Sequence, residues 1–422
     1  MSEQPLFKSS VRAELRAQKT ASTGWLSVFS EPHQRTILLL GNTHAAVILA
    51  RALKREGYAL VCGVEGDEGG AEHSRDVDEL WAHRSVESDP SGFLRDLETL
   101  LHERPEISVV YPTSQGFLQA LTRHHHRLPA GPVYAMPPAH LVNSAFDKLN
   151  LLSLAVLNKV PIAPFEVVET PAGLFQAVER LGLPLVVQPA NSGGPGTPTL
   201  CETLADLQAV ILSLSGGMQP LVLWGKGKGR RHRVYFAAQD GQLVRYAQAA
   251  IMRTAHAGGW GGALEGKTVQ PSRNVRLGLE RLTGAIRYTG TGCAEFLVNE
   301  RDGTACFVNL TPHIPADLAV PEASGLKLST LAIALAQHPD DPVPRREGAV
   351  GLHYVAGASD LGTATCLSRI YRAVVASLRA DIHLLWSWRD PFPGFFALTE
   401  ILPSFVGAIG GRAYGTKAWH GS

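Results

Sequence analysis

The sequence has few cysteines and almost no excess charge. Its five cysteines are scattered, odd in number and without a Cys-x-x-Cys pair. This pattern excludes a disulfide framework or a zinc knuckle and indicates reduced thiols. Lys and Arg total 39 against 38 Asp and Glu. Because no surface field of one sign is implied, we expect neither a nucleic-acid partner nor an electrostatic membrane partner.

The sequence also lacks a long uninterrupted hydrophobic run. Its first residues, MSEQPLFKSSVRAELRAQK, contain no apolar signal core. The most apolar late stretch, GFFALTEILPSFVGAIGG, is interrupted by Glu400 and Pro403 and is too short to span a bilayer. We therefore expect a cytoplasmic protein without a transmembrane segment, and peripheral attachment through this tail stays open.

A dinucleotide fingerprint is missing as well. After the apolar run that ends near Gly41 the sequence continues NTHAAV, with no Gly-x-Gly-x-x-Gly, which argues against a dehydrogenase. What is present is an alternation of buried strands (37–40, 59–64 and ISVVYP) with amphipathic helices. Ser91 is the expected N-cap of the second helix. This alternation predicts a parallel sheet covered by helices on both faces.

Changes in composition and hydrophobic pattern along the 422 residues predict three modules. The first is an α/β domain at 1–135. The second, at 136–340, is α+β, with a small lobe at about 164–250 and a helix that carries Leu149, Leu152, Val156 and Leu157 on its apolar side. The third is a C-terminal extension at 341–422. It contains a helix with one apolar face, formed by Leu367, Ile370, Tyr371, Val374, Val375 and Leu378.

Two Asp-Gly pairs, at 240–241 and 302–303, predict antiparallel hairpins. In the second hairpin, a symmetric register places Glu295 opposite Asn309. Alternation then puts Glu295, Asn299, Asn309 and Thr311 on one face, and Ala294, Phe296, Val298, Cys306, Val308 and Leu310 on the packed face. The first face is either a patch of oxygen ligands for a hard cation such as Mg²⁺ or an ordinary solvated surface.

Three segments together resemble the successive motifs of the ATP-grasp superfamily. They are FDKLNLLSLAVLNKVPIAPFEVV, LPLVVQPANSGG and GCAEFLVNERDGTACFVNLTPHIPADLAVPEASGL. The branch they resemble is that of the carboxylate–amine ligases related to carbamoyl-phosphate synthetase and the pyrrolysine-biosynthesis ligase. The resemblance covers about 36–340 and implies a pre-ATP-grasp α/β domain followed by two ATP-grasp lobes. It also implies ATP and Mg²⁺ as cofactors, and formation of an acyl phosphate that an amine displaces.

The same resemblance assigns residues to the nucleotide. Lys148, in the Asp147-Lys148 pair, resembles the first phosphate-contacting lysine and is a candidate catalytic residue. Gln188 stands where the family has a second lysine. Ser192, Gly193 and Gly194 resemble the glycine-rich lid, although Pro195 and Pro198 each remove an N–H that could face a phosphate. Trp224 stands at the adenine hinge, where an acidic residue is usual.

The resemblance assigns Arg253 to the acyl phosphate, as a catalytic residue, and Glu295, Asn309 and Thr311 to the metal. The family motif Glu-Ile-Asn-Pro-Arg reads here Asn309-Leu310-Thr311-Pro312-His313, so one metal carboxylate is an amide and the arginine is a histidine. Two hypotheses follow. One is an ATP-dependent ligase that joins a small-molecule carboxylate to an amine. The other is a catalytically inactive relative with a binding or regulatory role.

Two further stretches are open to alternative interpretations. The basic residues Lys226, Lys228, Arg230, Arg231 and Arg233 are read as a loop at 225–233, which either compensates for the lost charges or is a solvated tip. The segment SWRDPFPG, with Arg389 and Asp390, either shapes a pocket or attaches the last module to the core, and attachment is favoured. Oligomeric state is open, with a homodimer among the alternatives.

Overall fold

The computed structural model of the protein describes residues 35–65, 69–190, 199–213, 220–225, 229–255, 261–362 and 367–399. The first part of the chain builds a five-stranded sheet in which all pairs are parallel. Its strands are β1 (Thr36–Leu40), β2 (Ala59–Val64), β3 (Glu79–Ala82), β4 (Ile107–Pro112) and β5 (Val133–Tyr134), in the spatial order β3-β2-β1-β4-β5. The predicted parallel α/β architecture is confirmed.

Three helices cover this sheet: α1 (His44–Arg55), α2 (Pro90–Glu103) and α3 (Gln115–Arg123). The predicted apolar stripe of α2 is buried. The prediction of Ser91 as its N-cap is wrong, because Asp89 takes that position and accepts a hydrogen bond from the Gly92 amide at 2.8 Å. Pro90 then occupies the first helical turn, where its missing N–H costs nothing.

Two helices lead into a smaller sheet. They are α4 (Ala139–Phe146) and α5 (Lys148–Leu157). In α5 the buried residues are Lys148, Leu151, Leu152 and Ala155. The predicted apolar side of α5 is therefore partly wrong, since Val156 and Leu157 are exposed by 54% and 78%.

The smaller sheet contains β6 (Phe165–Val168), β7 (Leu185–Pro189), β8 (Thr199–Cys201) and β9 (Leu221–Gly225), in the order β6-β9-β7-β8. Helices α6 (Pro171–Leu181) and α7 (Leu204–Ser213) accompany it. Val187, Leu223 and Leu174 belong to its apolar core, which lies between the strands and α6.

The largest sheet in the described part of the chain has eight strands. Its strands are β10 (Arg230–Gln239), β11 (Gln242–Thr254), β12 (Ala263–Val269), β13 (Gly290–Val298), β14 (Ala305–Thr311), β15 (Arg346–Glu347), β16 (His353–Val355) and β17 (Ile382–His383). The order is β14-β13-β10-β11-β12-β16-β17, with β15 paired to β11. Helices α8 (Arg273–Ala285), α9 (Ala319–Ala323) and α10 (Leu328–Gln337) lie between these strands in the sequence.

Both predicted hairpins form. Asp240 and Gly241 have positive φ values of 46° and 81°, as a two-residue hairpin turn requires, and link β10 to β11. In the second hairpin Glu295 pairs with Asn309 as predicted. A bulge then follows, so that Phe296 pairs with Phe307. The predicted packed face is therefore wrong for Cys306 and Val308, which pack with Leu297 and Trp224 in a different apolar cluster.

The C-terminal part contains α11 (Ala358–Gly362) and α12 (Leu367–Arg379). Helix α12 forms where the sequence predicts it, but its apolar face is not the buried one, because Tyr371 and Leu378 are exposed by 71% and 82% whereas Ala373 and Ala376 are buried. Attachment through SWRDPFPG is confirmed. The Asp390 carboxylate is fully buried and accepts hydrogen bonds from Arg51 and Ser74, both at 2.8 Å.

Within the described ranges, no helix is both long enough and apolar enough to cross a membrane. The interrupted apolar tail beyond residue 399, including Glu400 and Pro403, lies outside those ranges.

Candidate functional site

Lys148, Glu295 and Asn309 come together although they are far apart in the sequence. Lys148 begins α5, and its amide N–H donates to the Ala190 carbonyl at the end of the smaller sheet (3.1 Å). Its ammonium donates to the Val308 carbonyl at 2.6 Å and to Asn309 Oδ1 at 3.2 Å. Since Asn309 is the cross-strand partner of Glu295, the three side chains meet in one place.

The Trp224 ring covers the Lys148 ammonium on the side of the smaller sheet. The Lys148 ammonium lies 4.2 Å from the centre of the Trp224 ring, a geometry that stabilises a cation over an aromatic face. Trp224 is only 4% exposed, and its indole N–H has no hydrogen-bond partner in the described part of the chain. It belongs to an apolar cluster that joins the two sheets: Leu152, Val186, Ala190, Val222, Leu297 and Val308.

Arg233 occupies the position beside the Glu295 carboxylate. Its Nε and Nη2 both donate to Glu295 Oε1, at 3.1 and 2.7 Å. Its Nη1 donates to Asp317 Oδ2 at 2.6 Å, and the Tyr235 hydroxyl donates to the same oxygen at 2.6 Å. Arg233 thus bridges two largely buried carboxylates, while Asp317 Oδ1 is buried and without a partner among the described residues.

We call Lys148, Trp224, Arg231, Arg233, Glu295, Asn309 and Asp317 the central site. Burial would raise the pKa of the Glu295 carboxyl, but Arg231 and Arg233 overcome it and lower that pKa to about 2. Burial lowers the pKa of the Lys148 ammonium to about 7, against the opposing attraction of Glu295. Glu295 is therefore ionised at neutral pH, and Lys148 loses its proton more readily than an exposed lysine does.

The donor set of the central site fits Mg²⁺ poorly. Mg²⁺ needs near-octahedral oxygen ligands with free lone pairs. Here one Glu295 oxygen already receives two Arg233 N–H groups, and Asn309 Oδ1 receives the Lys148 ammonium. Among the residues described, no three His, Cys, Asp or Glu side chains cluster together. A metal at Glu295 would also stand beside two guanidinium groups.

Arg253 lies elsewhere, among carboxylates. It extends from β11 and is hydrogen-bonded to Glu265 on β12 and to Asp360 on α11. Glu265 also accepts a hydrogen bond from His353 Nε2 at 2.8 Å. No described hydrogen bond joins Arg253 to Lys148 or Glu295, and its assignment to an acyl phosphate stays a prediction.

The other predicted site residues are distributed as follows. Gln188 lies half-buried on β7, where it pairs with Val222 of β9. Thr311 ends β14 opposite Cys293. Lys226 and Lys228 of the predicted basic loop lie outside the described ranges, and so do Ser192, Gly193, Gly194 and the two prolines near them. Their assignments to a nucleotide stay predictions.

The sequence does not single out Asp317, and it places Arg233 only within a basic loop. The loop predicted at 225–233 is wrong for residues 230–233, which belong to β10. Extending the alternation backwards from the Asp240-Gly241 turn would have placed Arg231, Arg233 and Tyr235 on one face. No comparable signal marks Asp317, which follows β14 in an irregular segment before α9.

No model of a known protein family matches the chain, and a search of curated proteins finds no match. Solved structures do match. The biotin carboxylase of Campylobacter jejuni in its β,γ-ATP complex is 16% identical, with a TM-score of 0.60 over 76% of this chain and 74% of that one. N5-carboxyaminoimidazole synthetase from Staphylococcus aureus, complexed with ADP, is 13% identical, with a TM-score of 0.56 over 76% and 82%. The L-amino acid ligase of Bacillus licheniformis is 15% identical, with a TM-score of 0.55 over 72% and 75%.

At these identities the likeness establishes the fold. The chain has the ATP-grasp fold with a preceding α/β domain, as the motif resemblance implied. Fold alone does not determine activity, because the same scaffold supports many chemistries. The function therefore has to be argued from the central site.

Proposed function

We propose that this chain, which has the ATP-grasp fold, binds a phosphate-bearing nucleotide without protein-held magnesium and does not carry out the ligase reaction. The observation that carries the proposal is the bridge from Arg233 to Glu295 and Asp317. It supplies from the protein itself the positive charge that a metal would otherwise bring beside Glu295.

The charges of the central site favour an anion over a cation. Three basic groups, Lys148, Arg231 and Arg233, face two carboxylates, Glu295 and Asp317. Arg231 is largely buried, donates to the Gly261 carbonyl, and keeps its Nε–H without a partner among the described residues. A buried unpaired guanidinium N–H is costly unless a ligand oxygen satisfies it. Phosphate oxygens are suited to that contact.

The likeness to structures solved with ADP or ATP supports a nucleotide as the source of the phosphate. This support comes from the similarity of fold alone. The absence of a second lysine at Gln188 removes one charge-assisted contact, which is worth about 1.5–3 kcal/mol. We therefore expect binding that is weak, in the range from high micromolar to millimolar.

The second candidate is an ATP-dependent ligase that activates a small carboxylate as an acyl phosphate for attack by an amine. The convergence of Lys148, Glu295 and Asn309 favours it. This reaction would require Glu295 to leave Arg233 and bind the metal. Breaking a buried ion pair in this way costs about 3–5 kcal/mol. The metal would have to compensate for that cost.

Thermal shift with two nucleotide conditions separates the candidates. The probes are ATP with EDTA and ATP with excess Mg²⁺, each at millimolar concentration, together with an assay for ADP release in the presence of mixed carboxylates and amines. We expect ATP with EDTA to stabilise the protein at least as much as Mg-ATP, without ADP release. Stabilisation that appears only with Mg²⁺, or substrate-dependent ADP release, would refute the proposal.

A pair of arginine variants on β10 provides the control. Arg231→Met removes a guanidinium from the central site, and Arg230→Met removes one that is exposed by 44% and paired with Glu300. Loss of a charge-assisted contact predicts at least tenfold weaker ATP binding for Arg231→Met and less than twofold for Arg230→Met. Equal effects would mean that Arg231 does not contact the nucleotide.

A further inference from the structure

Aromatic side chains form an exposed patch near the end of the described chain. Trp388, Phe392 and Phe395 are exposed by 86%, 64% and 52%. The Trp386 ring joins two of them, because its centre lies 5.4 Å from that of Trp388 and 5.0 Å from that of Phe395. Phe392 precedes Phe395 by three residues in the helical segment 392–399, so both rings lie on one helix face. We call these four residues the aromatic patch.

The segment that carries the aromatic patch is fixed to the α/β domain. Asp390 lies within it and is the buried carboxylate that accepts hydrogen bonds from α1 and from the segment before β3. The His73 ring also contacts the Phe396 ring, with centres 4.1 Å apart. These contacts hold the backbone while the aromatic side chains stay at the surface. An exposed apolar patch held in this way indicates an interaction surface.

The charged side chains that reach the surface beside the aromatic patch are arginines. Between residues 382 and 399 the sequence contains one arginine, Arg389, and one acidic residue, Asp390. Arg389 is exposed, and its carbonyl accepts a hydrogen bond from the exposed Arg75 side chain at 3.0 Å. Asp390 is fully buried, and Asp76, the carboxylate near Arg75, is half-buried. The surroundings of the patch therefore favour an anionic partner.

The chemistry of such a partner is that of a membrane surface. Tryptophan is enriched at membrane–water interfaces, where its ring contacts apolar chains and its N–H stays near water. Guanidinium groups bind phosphate oxygens, and anionic lipids attract nearby basic residues. The sequence continues after Glu400 with ILPSFVGAIGG and then Arg412 and Lys417, without a further acidic residue. An apolar and basic composition of this kind is typical of chains that lie on anionic membranes.

We infer that the aromatic patch is a peripheral membrane-binding surface, which places Trp388, Phe392 and Phe395 in the interface of a bilayer that contains anionic phospholipid. Arg75 and Arg389 bind the lipid phosphates. The near-zero net charge of the chain does not oppose this contact, because salt limits electrostatic attraction to about 10 Å. No residue of the patch belongs to the central site, so the contact is independent of the nucleotide proposed there.

Cosedimentation of the full chain with vesicles tests this surface. The probes are vesicles of phosphatidylcholine alone and vesicles of equal parts phosphatidylcholine and phosphatidylglycerol, each at low and at high salt. We expect binding to the anionic vesicles at low salt and at least about fivefold weaker binding to phosphatidylcholine alone. High salt should weaken the binding to anionic vesicles, because it screens the arginines. Absence of binding to anionic vesicles at low salt would overturn the inference.

Three variants show whether the patch makes the contact. Trp388→Ser removes its most exposed ring, and Phe392→Ser removes a second one. The matched control, Phe175→Gln, removes a ring that is exposed by 47% on α6 of the smaller lobe. Loss of one apolar side chain from the interface predicts about tenfold weaker binding for each patch variant, and less than about twofold for the control. Wild-type affinity in both patch variants would contradict the proposal.

The same variants distinguish two other occupants of the patch. If residues 400–422 of this chain covered it, Trp388→Ser would lower the thermal midpoint of the protein. If a second copy covered it, wild type would dimerise without vesicles in analytical ultracentrifugation and Trp388→Ser would not. We expect instead that Trp388→Ser leaves the thermal midpoint and the sedimentation coefficient unchanged. Either of the other results would overturn the inference.

Discussion

At Lys148 two properties of the central site conflict, because the side chain is buried and its ammonium carries a positive charge. Its side chain is 2% exposed, and an ammonium in such surroundings loses most of its hydration. The Val308 carbonyl, the Asn309 amide oxygen and the Trp224 ring replace part of it. None of these three carries a full negative charge, and the nearest carboxylate is committed to Arg233. The folded state therefore favours loss of the Lys148 proton.

The free energy of unfolding should depend on pH because of this titration. The pKa of Lys148 is about 7 in the folded state and about 10.4 in an unfolded chain. Between these values the unfolded chain binds more protons, so the contribution of Lys148 to the free energy of unfolding rises with pH, by at most about 1.4 kcal/mol per unit. We expect the difference in unfolding free energy between wild type and Lys148→Met to grow in favour of wild type from pH 7 to pH 9, as measured by urea denaturation.

The matched control is Lys54→Met. The Lys54 ammonium lies at the surface and is bonded to the exposed Asp78 carboxylate. Its substitution should give a difference in stability that is nearly constant over the same pH range. Parallel pH profiles for wild type and Lys148→Met would show that the ammonium is not desolvated in solution.

At this scale, sequence reasoning identifies residues whose signal is local and misses those whose partner is distant. The Glu295–Asn309 pair follows from the position of one turn and a two-residue period. The Arg233–Asp317 ion pair spans 84 residues, and no local pattern relates its two members. Yet this ion pair decides whether Glu295 is available to a metal. The chemical state of the central site was therefore beyond prediction, although Lys148, Trp224, Glu295 and Asn309 are named as site residues from the sequence.

At the scale of elements, periodicity locates a helix or strand better than it orients it. The predicted strands of the α/β domain and both hairpins form where alternation and turn signals predict them. The bulge after Glu295 rotates the following residues to the other face, so Val308 packs against Trp224. One extra residue in a strand leaves no trace in a pattern of apolar residues.

In helix α12 the face with the larger apolar side chains is not the face that is buried. Its larger apolar side chains form one stripe in the sequence, yet the buried residues include Ala373, at 1% exposed, while Leu378 is 82% exposed. Small residues permit close approach to β16 and α11, and this packing overrides the more hydrophobic side.

This arrangement predicts unequal effects along one helix. Leu378→Gln and Tyr371→Gln should each change the unfolding free energy by less than about 0.5 kcal/mol. Ala373→Leu should cost about 1–3 kcal/mol, because the extra atoms have no space. Chemical denaturation of the three variants provides the measurement. A loss of 2 kcal/mol or more in Leu378→Gln would mean that another surface covers this face in solution.

At the scale of the whole molecule, one buried acidic group joins the beginning and the end of the described chain. Asp390 Oδ2 accepts from Arg51 Nε and from the Ser74 hydroxyl, and Oδ1 accepts from the Arg75 amide at 3.0 Å. Arg51 also donates to the backbone carbonyls of Leu385 and Asp390, both at 2.7 Å. The C-terminal segment is thereby anchored to α1 and to the segment before β3, so the α/β domain and the extension should lose structure together.

Asp390→Asn tests that coupling. The substitution keeps the shape but leaves the Arg51 guanidinium, only 7% exposed, without its counter-charge, and breaking such a buried pair costs about 3–5 kcal/mol. Glu300→Gln, which breaks the exposed pair with Arg230, should cost at most about 1 kcal/mol. Hydrogen exchange followed by mass spectrometry should show α1 and residues 382–399 losing protection to the same extent in Asp390→Asn. Loss confined to 382–399 would mean that the ion pair holds the extension in place without supporting the α/β domain, and the domains would then be energetically separate in spite of their contact.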